Sequence, residues 1–561
     1  MSARWFAFRP RLLDTFRSGY RREDFSADVS AGITVGVVAL PLAMAFGIAS
    51  GVKPEAGLFT AIVAGFLISA LGGSKVQIGG PAGAFVALLY AIAERYGLAN
   101  LLLSTMMAGV LLFLMGALRL GQLIRFIPVS IVIGFTNGIA VIIALQQVRD
   151  ALGLAIDKMP AHFFGQISAL WQHLHTIHLP TAGLCAVSVA LVVWWPKSYL
   201  PHHAAWRRWM ARIPGTIIAL VLGVIAVRMG LDVETIGSRF GGIPQGLPAI
   251  AVPQGDWDSL RQLFGPTVSI ALLGAIESLL CARVADGMIQ DRHDPNQELM
   301  AQGVANVVAP LFGGIAATGT IARTVTNVRS GARSPVAGIV HAITLLAIVL
   351  LLAPLAADIP MASLAAILLF VAWNMGDWAA FARLQRFSVS YRTILLATFA
   401  LTVVFDVTVA VQAGLVLACL FFMHRVADLT QVEPMALPVD QRTLPDGTQL
   451  EAWRLSGSIF FGSVGKLDLL VDPTRPIPGA MLLQMRQVIN LDTTGLEVLE
   501  NLHSRLARAG GVLAIVQASE QPLSLMRRSG FLERIGATHV YDDMDSALAA
   551  LTVRPEAPPK A

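Results

Sequence analysis

The chain has 561 residues, 55% of them apolar and 14% charged, with a mean hydropathy of +0.66. Ordinary soluble domains are about 25% charged, so this much apolar surface needs lipid around it. Three cysteines, odd in number and set in apolar runs, imply no disulfide framework. The net charge of +5 is scattered between apolar segments instead of forming the basic face that nucleic acid needs.

Residues 1–28 carry Arg4, Arg9, Arg11, Arg17, Arg21 and Arg22 with no isolated apolar stretch ending in a cleavage site. No signal peptide is expected, and the segment should stay cytosolic. Apolar windows then follow one another to about residue 426. The clearest are 31–50, 57–71, 101–118, 126–145, 181–195, 215–227, 268–282, 335–355 and 407–423, several of them near the ~20 residues that cross a bilayer. Two segments are atypical. Residues 76–93 open on Gly79-Gly80-Pro81, and residues 318–331 are polar enough to escape a hydropathy scan.

Each atypical segment is counted as one crossing because the cations then fall into the loops expected to face inward: Lys75, Arg119, Arg125, Lys197, Arg207, Arg208, Arg212, Arg283, Arg292, Arg329, Arg333, Arg383, Arg386 and Arg425. About fourteen crossings result, with both termini cytosolic, as in a bacterial inner (plasma) membrane protein. Cut near Leu260, each half has its atypical segment in third place. Matched interruptions of this kind point to a transporter built from inverted repeats, with its site at mid-membrane.

The expected membrane domain spans residues 29–427, followed by a Pro-containing linker over 428–449. Residues 450–553 alternate short strands with amphipathic helices, as in a small α/β domain, before a tail at 554–561. Arg454 and Val488 belong to expected strands, and Leu496, Leu499, Leu502 and Leu506 mark one helix face.

The chemistry is expected at the two interruptions. In Gly79-Gly80-Pro81-Ala82-Gly83-Ala84-Phe85, proline suits a first helical turn and the glycines let an extended chain enter it. Thr318-Gly319-Thr320-Ile321-Ala322-Arg323 would start a second helix from the other half. Two helix starts facing each other make an anion site from backbone N–H groups, with no metal or cofactor required. Arg323 sits between apolar spans, where an unpaired cation is costly, so it needs a partner: a bound anion, with a structural ion pair or an aqueous loop position as the competing accounts. Glu277, a lone carboxylate in Leu272-Leu273-Gly274-Ala275-Ile276-Glu277-Ser278-Leu279-Leu280, is expected to carry a proton; a permanent pair with Arg323 is the competing account. His341 and Asn137 read as contacts between helices and Asp286 as solvated. No nucleophile–base set, zinc spacing or P-loop occurs, which argues against an enzyme.

At these residues the chain resembles the sulfate permease (SulP) family, which also contains the animal solute-carrier anion exchangers and the motor protein prestin. The resemblance rests on residues 28–41 with Ala31-Gly32-Ile33-Thr34-Val35-Gly36, on Gly80-Pro81, on Glu277-Ser278-Leu279-Leu280, on Arg323-Thr324 and on the C-terminal module. It implies an α-helical membrane fold of seven plus seven inverted spans in core and gate domains, a homodimer, and elevator-type transport. The substrate would lie between the third and tenth elements, against Gly80, Pro81, Ala82, Gly83, Ala84, Phe85, Gly319, Thr320, Ile321, Ala322, Arg323 and Thr324.

Residues 450–551 are similar to STAS domains, with Asp492-Thr493-Thr494-Gly495 at their Asp-Ser-Ser-Gly loop. Thr494 falls at the phosphorylated position of the antagonists, although a helix cap accounts for a threonine there as well. The STAS domain also implies a cytosolic partner. The sodium-coupled bicarbonate branch has Asp and Thr where Glu277 and Cys281 stand, and a small residue at Arg323. A thiol is a poor sodium ligand, so proton coupling through Glu277 and Cys281 with sulfate as substrate leads. Bicarbonate, a C4-dicarboxylate, an uncoupled exchanger or channel, and an anion sensor are the alternatives.

Overall fold

A computed structural model describes residues 8–122, 128–157, 159–160, 162–195, 214–246, 250–253, 257–405, 407–438, 441–445, 447–471 and 475–552. Arg4, Arg125, Lys197, Arg207, Arg208, Arg212 and the tail 554–561 lie outside them. The chain divides into two compact units, residues 1–415 and 416–561.

The first half of the membrane unit begins with α1 (Arg11–Arg17) and α2 (Arg22–Ala49). Next come α3 (Pro54–Phe59) and α4 (Gly65–Leu71), joined by the π-helical turn Thr60–Ala64. After β1 (Gly79–Gly80) follow α5 (Gly83–Tyr96), α6 (Leu98–Ala117), α7 (Val129–Leu152), α8 (Phe163–His173), α9 (Leu179–Trp194) and α10 (Gly215–Arg228). The second half runs through α11 (Ile236–Phe240), α12 (Phe264–Ile289), α13 (Pro295–Val308), β2 (Thr318–Gly319) and α14 (Ile321–Arg329). It ends with α15 (Val336–Ala356), α16 (Met361–Met375), α17 (Val389–Val404) and α18 (Val407–Asp428). Among the described residues six helices, counting α3–α4 as one, are individually long and apolar enough to cross a membrane, and shorter apolar helices accompany them.

Packing between the halves is reciprocal. Helix α2 packs on α15 and α6 on α12; α4 packs on α15 and α6 on α13; α7 packs on α17 and α9 on α16. Each pair has its mirror in the other half, as an inverted repeat requires. The same contacts sort the helices into two groups, one holding both β1–α5 and β2–α14, the other built on α7, α9, α16 and α17.

Small residues allow the closest crossings. A Cβ at Gly32 would stand 2.5 Å from the Ala337 carbonyl, and one at Gly36 2.8 Å from Thr344 Cβ, so only glycine lets α2 lie on α15. Gly109 of α6 meets the Gly303 carbonyl of α13 at 2.7 Å in the same sense.

The C-terminal unit carries a five-stranded sheet in the order β3 (Gln431–Pro434), β4 (Leu450–Ile459), β5 (Ala480–Leu491), β6 (Val512–Val516) and β7 (Val540–Tyr541). The β3–β4 pair is antiparallel and the rest parallel. Strand alternation sends Trp453, Leu455, Leu483 and Ile515 to one face, where they meet Leu496, Leu499, Leu502 and Leu506 of the helix Thr493–Arg508. Leu450, Ala452, Leu482 and Ala514 face the other way, onto Ala547 and Leu548. The stretch expected as a linker thus contains an edge strand, β3.

Candidate anion site

The two interruptions meet. Strand β1 pairs antiparallel with β2, Gly79 opposite Gly319 and Gly80 opposite Thr318. Extended backbone at membrane depth must have its polar groups satisfied by protein, and dedicated side chains do this. Thr320 donates to the Ile78 carbonyl through N (2.9 Å) and Oγ1 (3.0 Å), while Ile78 N donates to Thr324 Oγ1 at 2.9 Å. Asn327 Nδ2 donates to the Val76 carbonyl, and Asn306 closes both ends of Ala317 at 2.8 and 2.9 Å. Thr60, at the π-helical turn, does the same for Ile315.

Two helices start just beyond this pair. Ala82 and Thr320 precede the first turns of α5 and α14 in extended conformation, and neither start is capped by a side chain. Their N–H ends are therefore open to an acceptor. Gly83, at the first turn of α5, looks onto Met375 Sδ, Phe46 Cε1 and Ile143 Cδ1, at 3.2, 3.3 and 3.5 Å from where its Cβ would be. Met375 and Ile143 belong to the second helix group, so the α5 start sits at the seam between the groups.

Arg323 is 2% exposed, and none of its three guanidinium nitrogens has a hydrogen-bond partner among the described residues. Its Nη1 occupies the space that a Cβ on Gly80 would need, 2.5 Å away, and Gly80 has a φ of 153°. Glu277, on α12, is buried at 9% exposure. The expected alternative of a Glu277–Arg323 ion pair is not realised: neither residue has an ion-pair partner among the described residues. Cys281 is fully buried, its thiol donating to Thr324 Oγ1 at 3.2 Å. Pro81, Ala84 and Phe85 are buried around the α5 start, whereas Ile321 and Ala322 turn outward from α14.

Three further residues singled out in the sequence have definite partners or places. Asp286 accepts from His293 through N and Nδ1, at 3.1 and 2.7 Å, and is not simply solvated. Asn137 donates to the Asp377 carbonyl at 3.3 Å, a contact between helices as expected. The helix cap in the C-terminal unit is Asp492, which accepts from Gly495 N at 2.8 Å, and Thr494 lies in the first turn behind it.

Sequence reasoning missed Glu298. Its carboxylate, fully buried, accepts from Gly73 N (2.9 Å), Ser74 N (3.3 Å), Ser278 Oγ (3.3 Å) and Gln302 Nε2 (2.9 Å), while Gln77 Nε2 reaches Ser278 Oγ at 3.1 Å. It anchors the strand that leads into β1. The signal was available: Glu298, Gln302 and Asn306 recur every four residues, one polar stripe on a membrane helix. Phe46, Ile143 and Met375 carried no such mark.

Paired broken helices in a reciprocally packed bundle, with an unpaired cation beside uncapped helix starts, mark an integral membrane protein of the transporter class. The match to the model of the "Sulfate permease family" over residues 25–398, with a "STAS domain" over 451–547, gives the particular identity: the chain belongs to the sulfate permease family and ends in a STAS domain. The Bacillus subtilis protein YvdB, named as a candidate sulfate transporter, is 42% identical over 94% of this chain and 98% of its own. The bicarbonate transporter BicA of Synechocystis is 31% identical over 91% of each. The solved transmembrane domain of a cyanobacterial BicA covers 70% of this chain and 98% of its own, with TM-score 0.63 and 32% identity. Murine Slc26a9, described as an anion transporter in the inward-facing state, shares the fold at TM-score 0.83 and 16% identity, over 97% and 94% of the two chains. These relatives and neighbours are transporters, and none is named as an enzyme.

Proposed function

We propose that the protein is a secondary active transporter of a small inorganic anion, with proton-coupled sulfate uptake as its activity. The observation that carries this is the antiparallel meeting of Gly79–Gly80 with Thr318–Gly319, which leaves two uncapped helix starts beside the unpartnered Arg323. The anion replaces its water shell with backbone N–H groups from Gly83, Ala84, Ile321 and Ala322 and with the guanidinium. Glu277, buried and without a salt bridge, is the proton carrier, so that substrate charge and proton cross together. Cys281 and Thr324 lie beside it, with the thiol already engaged.

Transport proceeds by an elevator movement, the helix group that holds both interruptions sliding against the group built on α7 and α16. The seam at Gly83 supports this, since the site lies where the two groups touch. About fourteen crossings with both termini cytosolic, a bacterial inner-membrane location and a homodimer complete the proposal. The STAS domain is a docking module for a cytosolic partner, with Thr494 as its candidate regulatory position.

Bicarbonate is the second reading, favoured by the 31% identity to BicA across nearly the whole chain. The test is uptake of labelled sulfate and of labelled bicarbonate into liposomes holding the purified protein, with and without an inward proton gradient. Proton-driven sulfate uptake that Glu277→Gln uncouples is the expected result. Sodium-dependent uptake indifferent to pH would overturn the coupling.

A further inference from the structure

His341 is fully buried in α15, and neither ring nitrogen has a hydrogen-bond partner among the described residues. A neutral imidazole carries one N–H donor and one lone pair, and leaving both unmade inside a membrane is costly. An isolated defect of this kind would be a packing accident. This one stands beside another.

The neighbouring glycines fix where the ring lies. A Cβ at Gly65 would stand 3.1 Å from the Gly79 carbonyl, 3.6 Å from His341 Cε1 and 3.8 Å from Nδ1. A Cβ at Gly80 would stand 2.5 Å from Arg323 Nη1 and 3.5 Å from Ala61 Cα. Gly79 and Gly80 are consecutive, and Ala61 and Gly65 are four apart in the chain, so guanidinium and imidazole both border the layer between β1 and the turn that runs from Ala61 to Gly65. Helix α2 at Gly36 and α4 at Gly65 each bring a glycine against this part of α15. Between Ala61 and Gly65 the helix widens into its π-helical turn, a feature that recurs at functional sites.

We propose that His341 is a positioning residue for Arg323: its lone pair, reached across one water, holds the guanidinium from behind so that its free edge is turned toward the helix starts. Arg323 then stays aimed between anion arrivals instead of collapsing onto the nearest carbonyl. The inference rests on the proposal that Arg323 contacts the anion.

The experiment is the sulfate KM and kcat of the full chain in liposomes for His341→Leu, His341→Gln and His341→Met, alone and in an Arg323→Lys background. His341→Leu and His341→Met are expected to raise KM about fivefold or more with kcat within about twofold, whereas His341→Gln, which keeps an acceptor, stays within about twofold of wild type. In the Arg323→Lys background, His341→Leu should add less than about a twofold change, because both substitutions remove the same interaction. The inference is overturned if the apolar variants leave KM unchanged, if glutamine is as poor as leucine, or if the His341 effect is the same in both backgrounds. Use of two apolar variants keeps a folding defect in one from deciding the result. Arg323→Ala separates the two proposals: unchanged KM in that variant refutes the anion site itself, while a raised KM alongside normal His341 variants refutes only the positioning role.

Discussion

The glycine crossings and the β1–β2 meeting point treat the backbone in opposite ways. Where α2 lies on α15 and α6 on α13, the helices are continuous, their N–H and C=O groups are bonded internally, and glycine only brings the cylinders closer. At β1–β2 the helices stop, and side chains from distant elements take up the freed groups: Thr60, Glu298, Asn306, Thr324 and Asn327. In the first region polar side chains are unnecessary; in the second Thr60, Asn306, Thr324 and Asn327 are each committed to backbone. The two uncapped helix starts and the bare guanidinium of Arg323 are the groups that the proposed function gives to a ligand.

Substitutions in the two regions should separate transport from stability. The largest effect is expected for Arg323→Ala, which removes the cation and leaves the helix starts: sulfate affinity should fall by about 10- to 100-fold, a loss of about 1.5–3 kcal/mol for a charge-assisted contact, read as KM or by equilibrium binding with unaltered thermal stability. Gly80→Ala should come next. Its Cβ would collide with Arg323 Nη1 at a φ of 153°, so transport should drop at least about tenfold, with less cost to folding than Gly109→Leu in the glycine crossing.

Glu298→Gln keeps the shape but exchanges an acceptor-only carboxylate for an amide: with its oxygen kept on Gly73 N and Ser74 N, its NH2 faces Ser278 Oγ and Gln302 Nε2, both of which donate to the carboxylate. The expected cost is about 1–3 kcal/mol of stability, visible as a lowered melting temperature, together with weaker transport because the strand leading into β1 loosens. An unchanged melting temperature would remove Glu298 from the account.

The smallest effect is expected outside the spans, at Asp291. It accepts from Arg11 and Lys75, at 2.9 and 2.8 Å, and ties α1 to the loop between α12 and α13. Burial alone would lift its carboxyl, but hydrogen bonds from Lys75, the Arg292 backbone and Arg11 outweigh that and hold it down to about 2. A carboxyl depressed on folding contributes stability that is present above its ordinary value and lost as pH falls toward the folded one. Asp291→Asn should therefore lower the melting temperature at pH 7 and make progressively less difference between about pH 4 and pH 2. A constant difference across that range would show that the ion pairs contribute nothing.

Much of this layout was legible in the sequence because lipid restricts what it tolerates. Gly79-Gly80-Pro81 cannot continue a helix, residues 318–331 are too polar to face lipid, and Arg323 and Glu277 are conspicuous where charge is rare. The support around them was less legible. Glu298, Gln302 and Asn306 form a polar stripe that hydropathy averages away, and Thr60 sits in an apolar span where its bonds to Ile315 depend on the tertiary fold. Phe46, Ile143 and Met375 look like any lipid-facing side chain until the two helix groups are brought together. In the C-terminal unit the central strands were visible from their apolar runs, whereas Gln431–Pro434 is mostly exposed and pairs at the sheet edge, so nothing in its composition marked it.

The most direct measurement is a structure of the protein soaked with selenate, a heavier tetrahedral stand-in for sulfate. A selenium peak should lie between the first turns of α5 and α14, within hydrogen-bond reach of their backbone N–H groups, and disappear in Arg323→Ala. Selenate bound elsewhere, with those two helix starts bare, would contradict the idea that they carry the anion.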